Sequence, residues 1–122
     1  MISTPMRKPI IQFLQKPSCT TCRKGKAFLE KQGATLELRS LDDQRLSERE
    51  LDELIGERDH LTFLSTRNEL YRSRKMKDHP PSRAEAIRLM AANPNLIRRP
   101  VVIRGTSIVL GYDEDAYRKL LR

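Results

Sequence analysis

The sequence is poor in the residues on which small metal-binding or disulfide-stapled domains depend. It has no tryptophan, two histidines and two cysteines, and only 5% of its residues are aromatic. A structural zinc site needs four ligands, and His60 and His79 are isolated and badly spaced for a finger. With so few aromatic side chains, the core has to be mainly aliphatic. We therefore predict no metal site and no bound cofactor.

Long apolar runs are also missing. No stretch approaches the roughly 20 apolar residues that a membrane-spanning helix needs, and residues 1–8 lack the apolar segment of a signal peptide. We accordingly expect a cytoplasmic protein without membrane contact. In that compartment two cysteines are more often redox-active or catalytic than structural. A bridge between Cys19 and Cys22 would close too short a loop to serve as a staple.

Charge is plentiful and biased to one sign. The chain of 122 residues has a net charge of +8, with lysine and arginine spread over nearly every segment. A basic surface favours anionic partners such as oxyanions or acidic proteins, although dispersed charge also serves solubility alone. No run of consecutive basic residues is long enough to suggest a nucleic-acid tail, so direct DNA binding is not expected. The length fits one compact domain, 1–122.

The order of predicted elements is β-α-β, then helices, then β-β-α. Strands are predicted over 9–14, 35–39, 100–103 and 107–110, and helices over 20–32, about 47–56, 61–72, 82–92 and from 113 onward. Ser18 is a plausible N-cap of the first helix, Ser47 and Glu50 form a capping-box signal for the second, Ser82 is expected to cap the fourth, and Gly105 suits a hairpin turn. The first β-α-β unit predicts a right-handed parallel crossover. This layout indicates an α/β, thioredoxin-like domain with a helical insertion at about 45–95.

The clearest chemical motif is Cys19-Thr20-Thr21-Cys22 at the start of the first helix. A thiolate is the nucleophile in thiol exchange, and unsatisfied N–H groups at a helix N-terminus favour an anion. Arg23 and Lys24 add positive charge one turn further on. Cys22, three residues inward, is expected to be more buried and less acidic, which suits a resolving thiol. Two idle thiols that merely pack are the alternative.

Arginines supply the second candidate feature. Arg98-Arg99-Pro100 opens a predicted strand, where thioredoxin-like domains usually place a cis proline facing the cysteine loop. Arg99 would then either lower the pKa of Cys19 or hold an oxyanion with its planar fork. A surface salt bridge would explain Arg99 almost as well. Arg67 is a further candidate, although composition alone does not distinguish it from the other basic residues.

Four stretches together resemble the ArsC/Spx family. They are Cys19-Thr20-Thr21-Cys22-Arg23-Lys24, Ser65-Thr66-Arg67, Leu96-Ile97-Arg98-Arg99-Pro100 and Leu110-Gly111-Tyr112-Asp113-Glu114-Asp115, and they keep the family's order from about residue 10 to 121. The resemblance implies a thioredoxin-like fold with a helical insert. It also implies a catalytic group of Cys19, Cys22 and Arg99. Arg67, Arg98 and Pro100 would form the substrate-binding group.

Two branches of that family imply two functions. Arsenate reductases hold the oxyanion with three arginines, and Tyr112 stands here where the third is expected; Gln15 replaces a histidine common before the nucleophile. Spx proteins, which are similar in the second cysteine and the Arg-Arg-Pro triplet, are redox-sensing regulators that bind the alpha subunit of RNA polymerase. The resemblance therefore implies either of two partners, a thiol or disulfide partner or that subunit.

Three hypotheses follow from the sequence. The first is a reductase in which Cys19 attacks a disulfide or small oxyanion, Cys22 resolves the adduct, and an external thiol (glutathione, glutaredoxin or thioredoxin) resets the pair. The second is an Spx-like regulator in which the same pair acts as a sensor without turnover. The third is a domain that keeps the fold without the chemistry. We favour the reductase narrowly over the regulator.

Overall fold

The structure is a computed structural model, and it describes residues 10–122. Its strands are β1 (Ile10–Gln15), β2 (Thr35–Ser40), β3 (Val101–Arg104) and β4 (Ser107–Leu110). Its α-helices are α1 (Thr20–Lys31), α2 (Glu48–Ile55), α3 (Glu69–Ser73), α4 (Arg83–Ala92) and α5 (Glu114–Leu120), with short 3₁₀ helices at His60–Phe63 and Pro94–Leu96. No helix within residues 10–122 is long and apolar enough to cross a membrane.

The described chain divides into two compact units. The sheet unit comprises residues 10–39 and 100–122, and the helical unit comprises residues 40–99. The predicted insertion at about 45–95 falls inside the helical unit. That residues 1–122 form one domain stays a prediction, and Pro9, the predicted start of the first strand, lies outside the described residues.

The sheet unit is built on four strands in the order β2-β1-β3-β4. β1 and β3 are antiparallel, with Phe13 opposite Val102, and β3 continues into β4 through a tight hairpin. Gly105 sits in the hairpin turn with a φ of +60°, a conformation that glycine adopts without strain. Alternation along β1 directs Ile11 and Phe13 into the core and leaves Gln12 exposed.

Two helices complete the core of the sheet unit. On α1 the buried residues are Cys22, Gly25 and Leu29, whose spacing places them on one face. On α5 the buried residues are Tyr117 and Leu120. Together with strand residues these side chains form one hydrophobic cluster, made up of Ile11, Phe13, Cys22, Leu29, Ala34, Val102, Tyr117 and Leu120. The second cysteine of the motif is therefore a core residue.

Side-chain caps define the helices of the helical unit. Ser47 and Glu50 form a complete capping box at the start of α2, and Ser82 caps α4, as the sequence predicted. Arg83 pairs with the Asp52 carboxylate and also donates to the Gly56 carbonyl oxygen at 3.2 Å, at the C-terminal end of α2. This arginine satisfies a carbonyl group that the helix end leaves unpaired.

Two local predictions are wrong. The helix predicted over residues 61–72 is interrupted, because Leu64 leaves the helical path to pair with Ile97 in an isolated antiparallel bridge, and α3 begins only after Asn68. Helical spacing alone could not reveal that long-range pairing. The N-cap of α1 is Cys19 rather than Ser18, since the Cys19 sulfur accepts the capping hydrogen bond.

Candidate active site around Cys19

Cys19 occupies the N-cap position of α1. Its backbone is extended (φ −79°, ψ 121°), and its Sγ accepts a hydrogen bond from the Cys22 N–H at 3.4 Å. The residue is held in a turn because its own N–H donates to the Lys16 carbonyl oxygen at 2.9 Å. The sulfur thus lies where the first N–H groups of a helix are directed, a position that favours negative charge.

The charges around this first turn have one sign. No acidic residue occurs in the first turn of α1. Arg23, one turn along, reaches back to the Thr20 hydroxyl at 3.5 Å, and Lys24 beside it is exposed. Nearby cations stabilise a thiolate relative to a thiol. The helix position and the nearby positive charges therefore both favour the thiolate form of Cys19.

Cys22 differs from Cys19 in exposure. Its side chain has 0% exposure and belongs to the hydrophobic cluster of the sheet unit, whereas Cys19 is half-buried at the edge of that cluster. Both cysteines carry thiols rather than a disulfide. An apolar environment disfavours a thiolate. The pair therefore combines an accessible sulfur at the helix end with a second sulfur shielded one turn inward, as the sequence predicted.

Tyr117 on α5 lies beside the buried cysteine. Its side chain is fully buried, and its hydroxyl donates to the Gly111 carbonyl oxygen. Burial raises the pKa of the Tyr117 phenol well above its usual value, and the charge of the Cys22 thiolate raises it further. The phenol is therefore neutral at physiological pH. It adds a polar but uncharged group to the surroundings of Cys22.

Tyr112 lies at the position where the family resemblance implied a third arginine. Its hydroxyl donates to the Glu114 carboxylate, and its ring meets the Tyr117 ring edge-on at a centroid distance of 6.0 Å. The hydrogen bond to Glu114 is the main cause that raises the pKa of Tyr112. This position therefore carries a phenol bound to an acid, in place of the arginine that the family resemblance implied.

The Arg98-Arg99 pair lies in the helical unit, at its junction with Pro100. Arg98 is exposed, and its N–H donates to the Phe63 carbonyl oxygen at 2.8 Å. Arg99 is half-buried; its guanidinium donates to the Asn95 side chain at 2.9 Å, while its Nε is buried without a hydrogen-bond partner among the described residues. A buried N–H without an acceptor lowers the stability of the fold. The Arg99 Nε–H could therefore still donate a hydrogen bond to a bound acceptor.

Arg67 lies in the exposed turn that precedes α3. Its segment runs beside the Arg98 segment, because the Ser65 N–H donates to the Leu96 carbonyl oxygen at 2.7 Å. Within the helical unit the structure thus brings together the two segments that carry the predicted arginines. Within the sheet unit it brings together Cys19 and Cys22. The assignment of these residues to one site stays a prediction.

Sequence reasoning missed two residues around Cys22. Gly25 lies one turn after it, and a Cβ at Gly25 would stand 3.0 Å from the Tyr117 hydroxyl oxygen and 3.5 Å from the Pro100 ring. A glycine inside a predicted helix is a known signal of close packing, so Gly25 could have been recognised. Tyr117 carried no such signal, because a tyrosine on an amphipathic final helix is read as ordinary core.

Within residues 10–122 no three histidine, cysteine, aspartate or glutamate side chains converge in a group that could hold a metal ion. The two cysteines therefore remain the principal chemical feature of the sheet unit.

Known proteins are similar to this chain along most of its length. The ArsC family model matches residues 14–120. The chain belongs to the ArsC family. Among curated proteins, the global transcriptional regulator Spx of Streptococcus pneumoniae is 30% identical over 114 residues, which is 92% of this chain and 86% of that protein. Spx of Listeria innocua is 29% identical over 92% of this chain and 87% of that protein.

Solved structures of the family show the same fold. An ArsC family related protein from Bacteroides fragilis superposes with a TM-score of 0.80 at 28% identity, covering 90% of this chain and 97% of that one. The arsenate reductase from Vibrio cholerae gives a TM-score of 0.81 at 24% identity, covering 94% of this chain and all of that one. The α/β, thioredoxin-like fold with a helical insertion predicted from the sequence is thereby confirmed.

Proposed function

We propose that this ArsC family member is a thiol-disulfide oxidoreductase in which Cys19 is the nucleophile and Cys22 the resolving thiol. The observation that supports it most directly is the placement of the Cys19 sulfur at the N-cap of α1, accepting the Cys22 N–H at 3.4 Å with no acidic residue in the first turn. Cys22 lies one turn further along α1 and is wholly buried, so an external disulfide meets Cys19 first.

The proposed cycle balances without any bound cofactor. The Cys19 thiolate attacks one sulfur of a substrate disulfide, which breaks the substrate S–S bond, forms a mixed disulfide and releases one substrate thiolate. Cys22 then gives up its proton and attacks the Cys19 sulfur, which forms the Cys19–Cys22 disulfide and releases the second thiolate. An external thiol such as glutathione, glutaredoxin or thioredoxin returns two electrons and resets the pair.

A disulfide suits this site better than an oxyanion such as arsenate. The resemblance implied three arginines for oxyanion binding, but Tyr112 occupies the third position and its hydroxyl donates to the Glu114 carboxylate. The Glu114 carboxylate is paired there with Arg118 at 3.5 Å, so this position holds an ion pair in place of an arginine that could bind an anionic substrate. A neutral disulfide needs no such grip, because the charge that forms in the reaction is borne by the sulfur atoms.

The cycle also suggests a compartment. A cysteine pair that is reset by glutathione or thioredoxin works in a reducing environment. We therefore propose the cytoplasm as the place of action, as the sequence led us to expect.

A second candidate is a redox-sensing regulator. It is favoured by the curated relatives, since several proteins named global transcriptional regulator Spx are 28–30% identical over 92% of this chain. In this function Cys19 and Cys22 form their disulfide once, and the oxidised form binds the alpha subunit of RNA polymerase. The chemistry of the cysteine pair is the same in both functions; the difference is turnover.

The first experiment measures the pH dependence of Cys19 alkylation in the reduced protein, followed by mass spectrometry after mild peroxide. We expect a Cys19 pKa below the usual value of about 8.5 and a Cys19–Cys22 disulfide after oxidation. In the peroxide reaction Cys19 becomes a sulfenic acid, and attack by Cys22 expels water. An ordinary pKa without disulfide formation would contradict a redox function of either kind.

A turnover assay separates the two candidates. A catalytic amount of protein is supplied with bis(2-hydroxyethyl) disulfide, which glutathione reductase does not reduce, together with glutathione, glutathione reductase and NADPH, and the rate without the protein is subtracted. An oxidoreductase consumes many equivalents of NADPH per protein, whereas a regulator reacts once and gains affinity for the alpha subunit on oxidation.

Arg99→Lys tests the predicted anion-stabilising arginine, because lysine keeps the charge but loses the planar fork. An unaltered Cys19 pKa and rate in that variant would reject the role.

A further inference from the structure

The Tyr117 hydroxyl lies where three segments of the sheet unit meet. It donates to the Gly111 carbonyl oxygen, while the Gly111 N–H donates to the Pro100 carbonyl oxygen at 2.9 Å. Gly111 has a φ of +77°, which glycine adopts without strain. Two hydrogen bonds therefore link the Tyr117 hydroxyl, through Gly111, to the backbone of Pro100, the residue directly before β3.

The same hydroxyl also touches the helix of the cysteines. A Cβ at Gly25 would stand 3.0 Å from the Tyr117 oxygen, 3.5 Å from the Pro100 Cγ and 3.5 Å from the Phe13 ring. Gly25 therefore allows α1 to approach the phenol and the proline ring more closely than any other residue would. The contact fixes the depth at which this turn of α1 lies in the core.

Cys22 shares that turn. It lies three residues before Gly25 on the same buried face of α1, and it belongs to the same hydrophobic cluster as Tyr117. The charge interaction between Cys22 and the Tyr117 phenol is in keeping with this proximity. A shift of the Gly25 turn would carry the Cys22 sulfur with it, whereas Cys19, at the half-buried N-cap, has an additional anchor outside α1 in the hydrogen bond from its N–H to the Lys16 carbonyl oxygen.

We propose that Tyr117 is a positioning residue for the second step of thiol exchange, in that its hydroxyl holds the Gly25 turn of α1 so that Cys22 can reach the Cys19 sulfur. The proposal rests on the proposed function, since it requires Cys22 to resolve a mixed disulfide at Cys19. An intramolecular step of this kind is sensitive to small errors in the placement of the attacking atom. The first step, in which Cys19 attacks an external disulfide, has no such requirement on Cys22.

An aromatic disulfide with a coloured thiol product separates the two steps. Attack by Cys19 releases the first arylthiolate and leaves a mixed disulfide; attack by Cys22 on the Cys19 sulfur then forms the Cys19–Cys22 disulfide and releases the second. Over both steps the protein dithiol is oxidised by two electrons and the aryl disulfide is reduced to two thiols. Stopped-flow absorbance of the reduced full-length protein therefore records one phase for each cysteine.

In Tyr117→Phe the ring stays and the hydroxyl is lost. We expect the second phase to slow about tenfold, because without its hydrogen bond to the Gly111 carbonyl oxygen the ring no longer fixes the Gly25 turn, while the first phase changes less than about twofold. Tyr71→Phe, the same chemical change in the helical unit, is the matched control and should alter neither phase. Loss of the buried bond to Gly111 lowers the melting temperature in either case, but a purely structural role for Tyr117 would move both phases together.

Gly25→Ala is an independent test that keeps the phenol. The added Cβ displaces the Tyr117 hydroxyl and the turn of α1 without removing a hydrogen-bonding group, so the second phase should again slow selectively. If Tyr117→Phe does not fold, Gly25→Ala alone tests whether the position of this turn controls the rate of the second phase. The proposal is overturned if both phases slow equally, or if neither variant alters the second phase while the wild-type protein forms its disulfide. A wild-type protein that shows only one phase contradicts the proposed function itself.

Discussion

The Cys22 N–H points at the Cys19 sulfur across 3.4 Å, so the two cysteines already close the first turn of α1 while both are thiols. Serine, threonine, aspartate and asparagine are the usual N-caps, and sulfur is a weaker acceptor than their oxygens. The sulfur becomes a much better acceptor when it ionises. Helix capping and thiolate formation at Cys19 therefore reinforce each other.

Substitutions at Cys19 should separate capping from chemistry. Cys19→Ser keeps an N-cap acceptor, so we expect it to be as stable as the wild type and about 1 kcal/mol more stable than Cys19→Ala, which has none. Both variants should lose all thiol exchange. Urea unfolding monitored by circular dichroism gives the stability, and the aromatic disulfide assay gives the exchange. Equal stability of the two variants would mean that the sulfur does not cap α1, and retained exchange would exclude Cys19 as the nucleophile.

Cys22 should respond differently, because it is wholly buried. Cys22→Ser places a hydroxyl in an apolar cluster, which costs about 1–3 kcal/mol unless the group finds a partner. Cys22→Ala avoids that cost and should be the more stable of the two by about 1 kcal/mol. Both should accumulate the mixed disulfide at Cys19, detected as an adduct by intact-protein mass spectrometry. A normal catalytic cycle in either variant would show that Cys22 is not the resolving thiol.

Much of the sheet unit could be predicted because its signals are local. The strand predicted up to residue 14, the hairpin turn at Gly105 and the helix predicted over 20–32 each depend on residues close together in the chain, and the structure has β1, the hairpin and α1 at these places. The capping box at Ser47 was predicted for the same reason. Periodicity and capping are properties of a short segment, so one sequence is enough to recognise them.

The errors share a different cause. Residues 61–72 have acceptable helical spacing, but the bridge between Leu64 and Ile97 joins positions far apart in the chain and overrides it. The cap of α1 was assigned to Ser18 by residue preference, whereas the chain geometry placed Cys19 there. The close contact of Gly25 with Tyr117 likewise depends on α5, which is distant in sequence. Such features require the tertiary structure.

Lys75 is a site where a stabilising substitution is expected. It follows α3 with a φ of +52°, and it is the one non-glycine residue with positive φ within residues 10–122. The Met76 N–H donates to the Tyr71 carbonyl oxygen at 3.0 Å, the pattern of a helix end that favours glycine at this position. Lys75→Gly should raise the free energy of unfolding by about 1 kcal/mol.

Lys77→Gly is the control for that substitution. It removes the same charge two residues later at a position without positive φ, so glycine there brings no relief of strain and should leave stability unchanged or lower it. Urea unfolding at neutral pH compares the two variants with the wild type. Equal effects at residues 75 and 77 would show that charge, not backbone conformation, determines the result.

Tyr117 predicts how stability depends on alkaline pH. In the unfolded chain its phenol loses a proton near pH 10, whereas burial and the neighbouring charges of Cys22, Tyr112 and Asp113 raise its pKa in the folded protein. Above that pH the unfolded state binds fewer protons, so the free energy of unfolding falls as pH rises, by at most about 1.4 kcal/mol per pH unit for one group. Well below pH 10, Tyr117 adds no pH dependence to the free energy of unfolding.

Urea unfolding of wild type and Tyr117→Phe between about pH 8 and 11 isolates this contribution, because every other titrating group is common to both proteins. The wild-type curve should fall more steeply only at the alkaline end; parallel curves would mean that the phenol ionises as readily in the folded core as in the unfolded chain.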